Sequence, residues 1–288
     1  MCISIQRQGR MPVMHEVLTV VRKEFRDGLR NRWVLAISMM FALFAIGLAY
    51  FGAAASGQVG FTSLDTTIVS LASLAIFVIP LIALLLSYDG VVGEDEQGTL
   101  LLLLSYPLSR LQLLTGKFLG HAVVLAVSSL LGFGLAALAI GLMTGNVTSV
   151  ALWKAFGLFI LSAVMLGWVF VALAYLLSVT VSEKSRAAGL ALIVWFVFVL
   201  VFDLLLLGML VATQGAMNAE LFPYLLLLNP TDVFRLVNLS GLEAAQAHSG
   251  LISASSARLF HPSLLFGVLS LWVIVPLGLA ALFFKRRE

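Results

Sequence analysis

The chain has 288 residues, of which 61% are hydrophobic and only 11% charged, and its mean hydropathy is +1.08. A water-soluble domain carries about 25% charged residues, so most of this surface must face lipid, and a soluble enzyme is excluded. The pI near 9.2 does not indicate nucleic acid, because the basic residues sit in short clusters beside apolar runs and not in one stripe interleaved with aromatics.

Residues 1–13 read as a polar tail, and Met14 would serve as a start as well as Met1 does. Segment 15–32 places Val17, Val20, Val21, Phe25 and Leu29 at helical spacing, with Arg22, Lys23, Arg26 and Arg30 elsewhere around the helix. Such a helix is expected to lie along the inner membrane surface. The first apolar run, 33–55, is too long for a signal-peptide core and stays as an anchor.

A spanning helix needs about 20 apolar residues. Six runs satisfy this: 33–55, 68–88, 118–143, 155–180, 187–212 and 264–284. Aromatic residues near their ends (Trp33, Tyr50, Tyr88, Trp153 and Trp272) suit the headgroup region. Of the seventeen Lys and Arg, all but Lys154, Arg235 and Arg258 fall on one side of that arrangement, which predicts both termini in the cytoplasm. The expected fold class is therefore all-α, a polytopic membrane protein with six spans and an N-terminal interfacial helix.

The most polar cytoplasmic piece is the loop 89–117. In it Pro107 is expected to end a short Leu-rich helix and Ser109 to cap the next. Outside, 213–263 is expected to form two short surface helices broken by Pro223, Asn229 and Pro230, followed after Gly241 by a flexible Gly-, Ser- and Ala-rich stretch. No internal repeat and no second soluble domain is visible.

Chemistry-bearing motifs are few. The single cysteine, Cys2, rules out a disulfide or a Cys-x-x-Cys relay. No Gly-x-x-x-x-Gly-Lys-Ser/Thr sequence occurs, so this chain does not bind ATP by itself. Glu94, Asp95 and Glu96 form an acidic cluster suited to docking more than to paired-carboxylate chemistry. His121 lacks a ligating neighbour at i+3 or i+4, and the scattered methionines offer no converging copper path, so no metal is expected. His15 falls on the opposite side from His248 and His261. Asp203, inside the fifth span, has to be protonated, hydrogen-bonded or turned to a partner helix or cavity, as a subunit contact or a transport residue. Neither Gly132 with Gly134 nor Gly47 with Gly52 has the four-residue spacing of close helix pairs.

The run from Gly93 to Lys117, Gly-Glu-Asp-Glu-Gln-Gly-Thr followed by five leucines and Ser-Tyr-Pro-Leu-Ser-Arg, resembles the coupling loop of ABC-2 type permeases. The runs Arg22 to Trp33, Ala53 to Ser63 and Asn229 to Gly241 are similar to the subgroup serving nitrous oxide reductase maturation. The resemblance covers essentially the whole chain and implies a type V exporter-like permease fold and a homodimer without cofactors of its own. It further implies two copies of a NosF-like cytoplasmic ATPase that hold ATP and magnesium, and a NosD-like periplasmic protein. The implied process is assembly of the reductase's copper-sulfur cluster.

By the same resemblance Glu94, Asp95, Glu96, Thr99 and Arg110 are expected to dock the ATPase, with Glu183 and Lys184 as a weaker second contact. Asn229, Asp232 and Arg235 are candidates for docking the periplasmic partner, or else they cap a surface helix. A generic ABC-2 exporter of a lipid, drug or sulfur compound is the main alternative. An intramembrane protease lacks converging catalytic groups, and a passive anchor makes few sequence demands.

Overall fold

The computed structural model describes residues 13–30, 32–51, 60, 61, 63–106, 108–213, 222–240 and 261–286. The tail before Val13, Pro107, His248 and the stretch after Gly241 lie outside these, as does most of the run from Ala53 to Ser63.

Helix α1 (Val13–Arg30) precedes the first span, α2 (Trp33–Phe51), and the second span is α3 (Leu64–Ser87). Two short helices, α4 (Val92–Glu96) and α5 (Thr99–Ser105), form an elbow. Next come α6 (Arg110–Met143) and α7 (Val150–Thr180). The fifth span is interrupted: α8 (Lys184–Phe196), a π-helical turn (Val197–Val201), then α9 (Phe202–Ala212). Helices α10 (Phe222–Leu226) and α11 (Pro230–Ser240) lead to the last span, α12 (Pro262–Arg286). Six helices are thus long and apolar enough to cross a membrane, and no strand occurs among the described residues.

Helix α6 has 34 residues. At 1.5 Å per residue it is about 51 Å long, well beyond a hydrocarbon core of about 30 Å, so its first turns stand clear of the lipid. Ser109 starts it with a reciprocal cap, its hydroxyl accepting from the Gln112 N–H (3.2 Å) while Gln112 Oε1 accepts from the Ser109 N–H (2.6 Å). The protruding turns receive α1. Gly116 and Gly120 open a notch one helical turn apart, and a Cβ built on Gly116 would lie 2.7 Å from Val20 Cβ. This is the four-residue small-residue spacing that Gly132 with Gly134 and Gly47 with Gly52 lack.

The opposite end is held by aromatic contacts. Phe41 stacks on Phe133 at 4.6 Å, Phe133 meets Phe159 edge-on at 4.9 Å, and Phe159 reaches Phe234 at 6.0 Å, linking α2, α6, α7 and α11.

One expectation is corrected here. Helix α11 does not lie on the outer surface: Pro230 to Phe234, Val237 and Asn238 are buried and the helix packs against α3, α7 and α12, whereas Tyr224 and Leu228, in and just after α10, stay exposed. The Trp272 indole, ten residues inside α12, donates to Leu227 O (3.2 Å). The segment therefore re-enters the bundle. Its apolar side chains need a dry neighbour, and the breaks at Asn229 and Pro230 serve a hairpin within the protein as well as a surface turn.

Substituting Gly116→Leu is expected to destabilise the protein by about 1–3 kcal/mol through overpacking against Val20. Gly134→Leu, which points into open space, is expected to change stability by less than about 0.5 kcal/mol. Thermal unfolding in detergent checks both.

Candidate functional site

The chain turns from α3 into the elbow at Asp89 and Gly90, and this turn is fastened to α7. The Ser178 hydroxyl accepts from the N–H groups of Val91 and Val92, both at 3.0 Å, which satisfies two otherwise unpaired donors at the start of α4. Gly90 lies so close to the Tyr175 ring that a Cβ there would be 2.8 Å from its hydroxyl oxygen. Between α4 and α5, Gly98 takes φ +71°, a left-handed conformation that turns the chain by permitting what a side chain disfavours. Thr99 then donates its hydroxyl to Glu94 O at 3.1 Å.

Under the elbow lies a buried ionic node. Lys117, only 4% exposed, directs its ammonium to Glu24 Oε1 (3.0 Å) on α1 and Glu94 Oε1 (2.7 Å) on α4. Lys23 reaches the same two carboxylates at 3.1 and 3.7 Å. Two carboxylates thus face two ammonium groups, and the node is neutral. His121 stands beside it, Nε2 3.9 Å from Glu24 and Nδ1 2.8 Å from the Tyr175 hydroxyl. Burial alone would raise the Glu24 carboxyl, but Lys117 and then Lys23 outweigh it and hold the group at about 2.

Only the elbow's polar side was anticipated, and the structure redistributes its residues. Glu94 is turned inward to Lys117, with its second oxygen buried and without a donor among the described residues; it fastens the elbow instead of presenting a docking carboxylate. Asp95 is half-buried and Glu96 exposed, and Glu96 Oε2 accepts from the Lys184 N–H (3.2 Å) at the start of α8. Lys184 pairs with Asp89 at 2.7 Å and lies over the Tyr88 ring, while Glu183 is half-exposed and pairs with Arg186. Arg110 donates to Phe284 O (2.8 Å), covering a carbonyl in the last turn of α12. What the outer face of the elbow presents is Leu101, Leu102 and Tyr106, exposed to 77%, 66% and 66%. Their signal in the sequence was an apolar run too short to span.

The far-end candidates are also redistributed. Asn229 and Asp232 are buried, so neither offers its side chain to an outside partner. Asn229 precedes Pro230, and its Oδ1 accepts from the Thr231 N–H (3.1 Å), an arrangement that starts α11. Arg235 is half-exposed and bridges Asp232 (2.8 Å) to Asp203 (3.1 Å), so the carboxylate inside the fifth span has a cationic partner. Among the described residues, no three or more His, Cys, Asp or Glu side chains converge to hold a metal ion.

Residues 18–288 match the model of the ABC-2 family transporter proteins. This chain belongs to that family. It is 57% identical to the probable ABC transporter permease protein NosY of Stutzerimonas stutzeri over 274 residues, 95% of this chain and 99% of the relative. The protein of the same name from Pseudomonas aeruginosa is 57% identical over 277 residues, covering 96% and 99%. The chain is accordingly a multi-pass permease subunit of an ABC transporter, and the elbow with its ionic node is a feature of this permease.

Glu24→Gln should lower the permease's thermal stability by a constant amount above pH 4.5. Because folding depresses the Glu24 carboxyl from 4.5 to about 2, the wild-type advantage should shrink as pH falls through that window and vanish near its lower end. Melting curves of both proteins from pH 7 downward check this.

Proposed function

We propose that this permease pairs with a second copy in a bacterial inner membrane and seats a NosF-like ATPase on the elbow of each copy. The movement ATP drives there would pass to a NosD-like periplasmic protein during assembly of the copper-sulfur cluster of nitrous oxide reductase. The observation that carries the reading is an exposed apolar patch, Leu101, Leu102 and Tyr106, on an elbow fastened by charge and hydrogen bonds to α1, α6, α7 and α8. Clustered leucines on a polar segment mark a protein contact. A rigid mount beneath them is what lets a push at the patch move several helices together.

In this reading the elbow and both termini face the cytoplasm, in keeping with the basic residues gathered there. ATP and magnesium sit on the partner, and copper is the cargo of the pathway. Glu96 and Asp95 border the contact, and Glu94 holds its mount. The similarity to proteins named NosY supports the assignment to reductase maturation.

The alternative of a generic exporter draws on one feature. An open groove of about 270 Å³ is lined by Asp203, Leu206, Leu207, Leu210, Leu226, Asp232 and Arg235. A transported amphipathic compound entering it would stimulate ATPase activity in liposomes without the periplasmic protein.

Leu101→Glu with Leu102→Glu changes only exposed side chains. It should cut co-purified ATPase at least tenfold while leaving the permease's own melting temperature unchanged. Undiminished ATPase recovery would reject the elbow as the seat.

A further inference from the structure

The fifth span is built in two halves of different security. Its first half, α8, is tied at the elbow through Lys184 to Asp89 and Glu96, and Trp195 donates its indole N–H to Phe77 O of α3 at 2.9 Å. Its second half, α9, buries no residue. Between them lies the π turn, Val197–Val201. A π turn widens the helix by one residue and leaves carbonyls for outside donors, so it is a natural place for a span to bend.

Phe198 O, inside that turn, accepts from Asn229 Nδ2 (3.0 Å) and from the Thr231 hydroxyl (3.2 Å), both at the start of α11. The same Asn229 amide donates to Asp232 Oδ2 (3.0 Å), and Arg235 carries the chain of bonds from Asp232 Oδ1 to Asp203 Oδ2 on α9. These bonds close a ring from the π turn through α11 to the outer half of the span. Asp203 and Arg235 are each about one-third exposed, at the edge of the open groove, so their bond is the accessible link of the ring.

We infer that the π turn is a hinge and the Arg235–Asp203 ion pair its latch, holding α9 against the re-entrant α11 and letting it swing away when the pair opens. This goes beyond the proposed function, since the latch is a property of the permease alone, whatever drives it.

Spin labels test this on the full-length permease in nanodiscs, diluted with unlabelled chain and with Cys2→Ser removing the one native thiol. One label pair joins Leu207→Cys on α9 to Leu271→Cys on α12; a second joins Leu192→Cys on α8 to Leu271→Cys. Arg235→Gln should at least double the long-distance fraction of the first pair and leave the second unmoved. The exchange Asp203→Arg with Arg235→Asp should restore the native distribution. Should Arg235→Gln not fold, Asp203→Leu opens the same bond while making the span more apolar, and carries the same expectation. Unchanged distances in the first pair overturn the latch, as does an exchange that leaves the first pair as open as the single variant. Equal movement in both pairs overturns the hinge.

Discussion

A buried ammonium group governs how this permease is assembled at its elbow. Lys117 is almost fully removed from water and has to be matched by charge, because an unpaired ion in such a place is strongly unfavourable. Its two carboxylates come from α1 and α4, elements 93 and 23 residues away in the chain. Neutrality of the node therefore requires three separate segments to be in place at once. The Gly116 and Gly120 notch lets α1 come near enough for Glu24 to reach, and Ser178 with Gly90 sets the elbow at the depth where Glu94 can. Each contact is local, but the charge requirement makes them one condition.

The spans were legible because length and apolarity are properties of a single run, and a bilayer imposes the same minimum on each of them. The Ser109 cap was legible for a similar reason, since its partner Gln112 lies three residues away. The node was not. Glu24, Lys117 and Glu94 are unremarkable in their own neighbourhoods, and only the folded chain brings them together. The one local sign was a lysine between two glycines four residues apart, in a helix otherwise entering the membrane.

A proline after an apolar run marks a break without saying on which side of the interface it falls, so the sequence alone places the re-entrant α11 on the surface. Val233, Phe234 and Val237 share a helical face, and that periodicity separates a buried α11 from an exposed one. The candidate residues there were the right neighbourhood with the wrong orientation. Asn229 and Asp232 organise the interior, and Arg235 supplies Asp203 with the hydrogen-bonding partner that a carboxylate inside a span requires.

The π turn also alters how the fifth span has to be counted. A regular helix advances about 100° per residue, and the extra residue absorbed between Val197 and Val201 turns everything after it by roughly that angle. A helical wheel drawn straight through the span therefore assigns α9 the wrong faces and points Asp203 away from Arg235. Most spans accept a residue gained or lost near an end, where lipid and loop can adjust. Here a single deletion inside the turn would remove the absorbed residue, restore a regular helix and leave Asp203 turned to Arg235, at the cost only of the Phe198 carbonyl that Asn229 and Thr231 now hold.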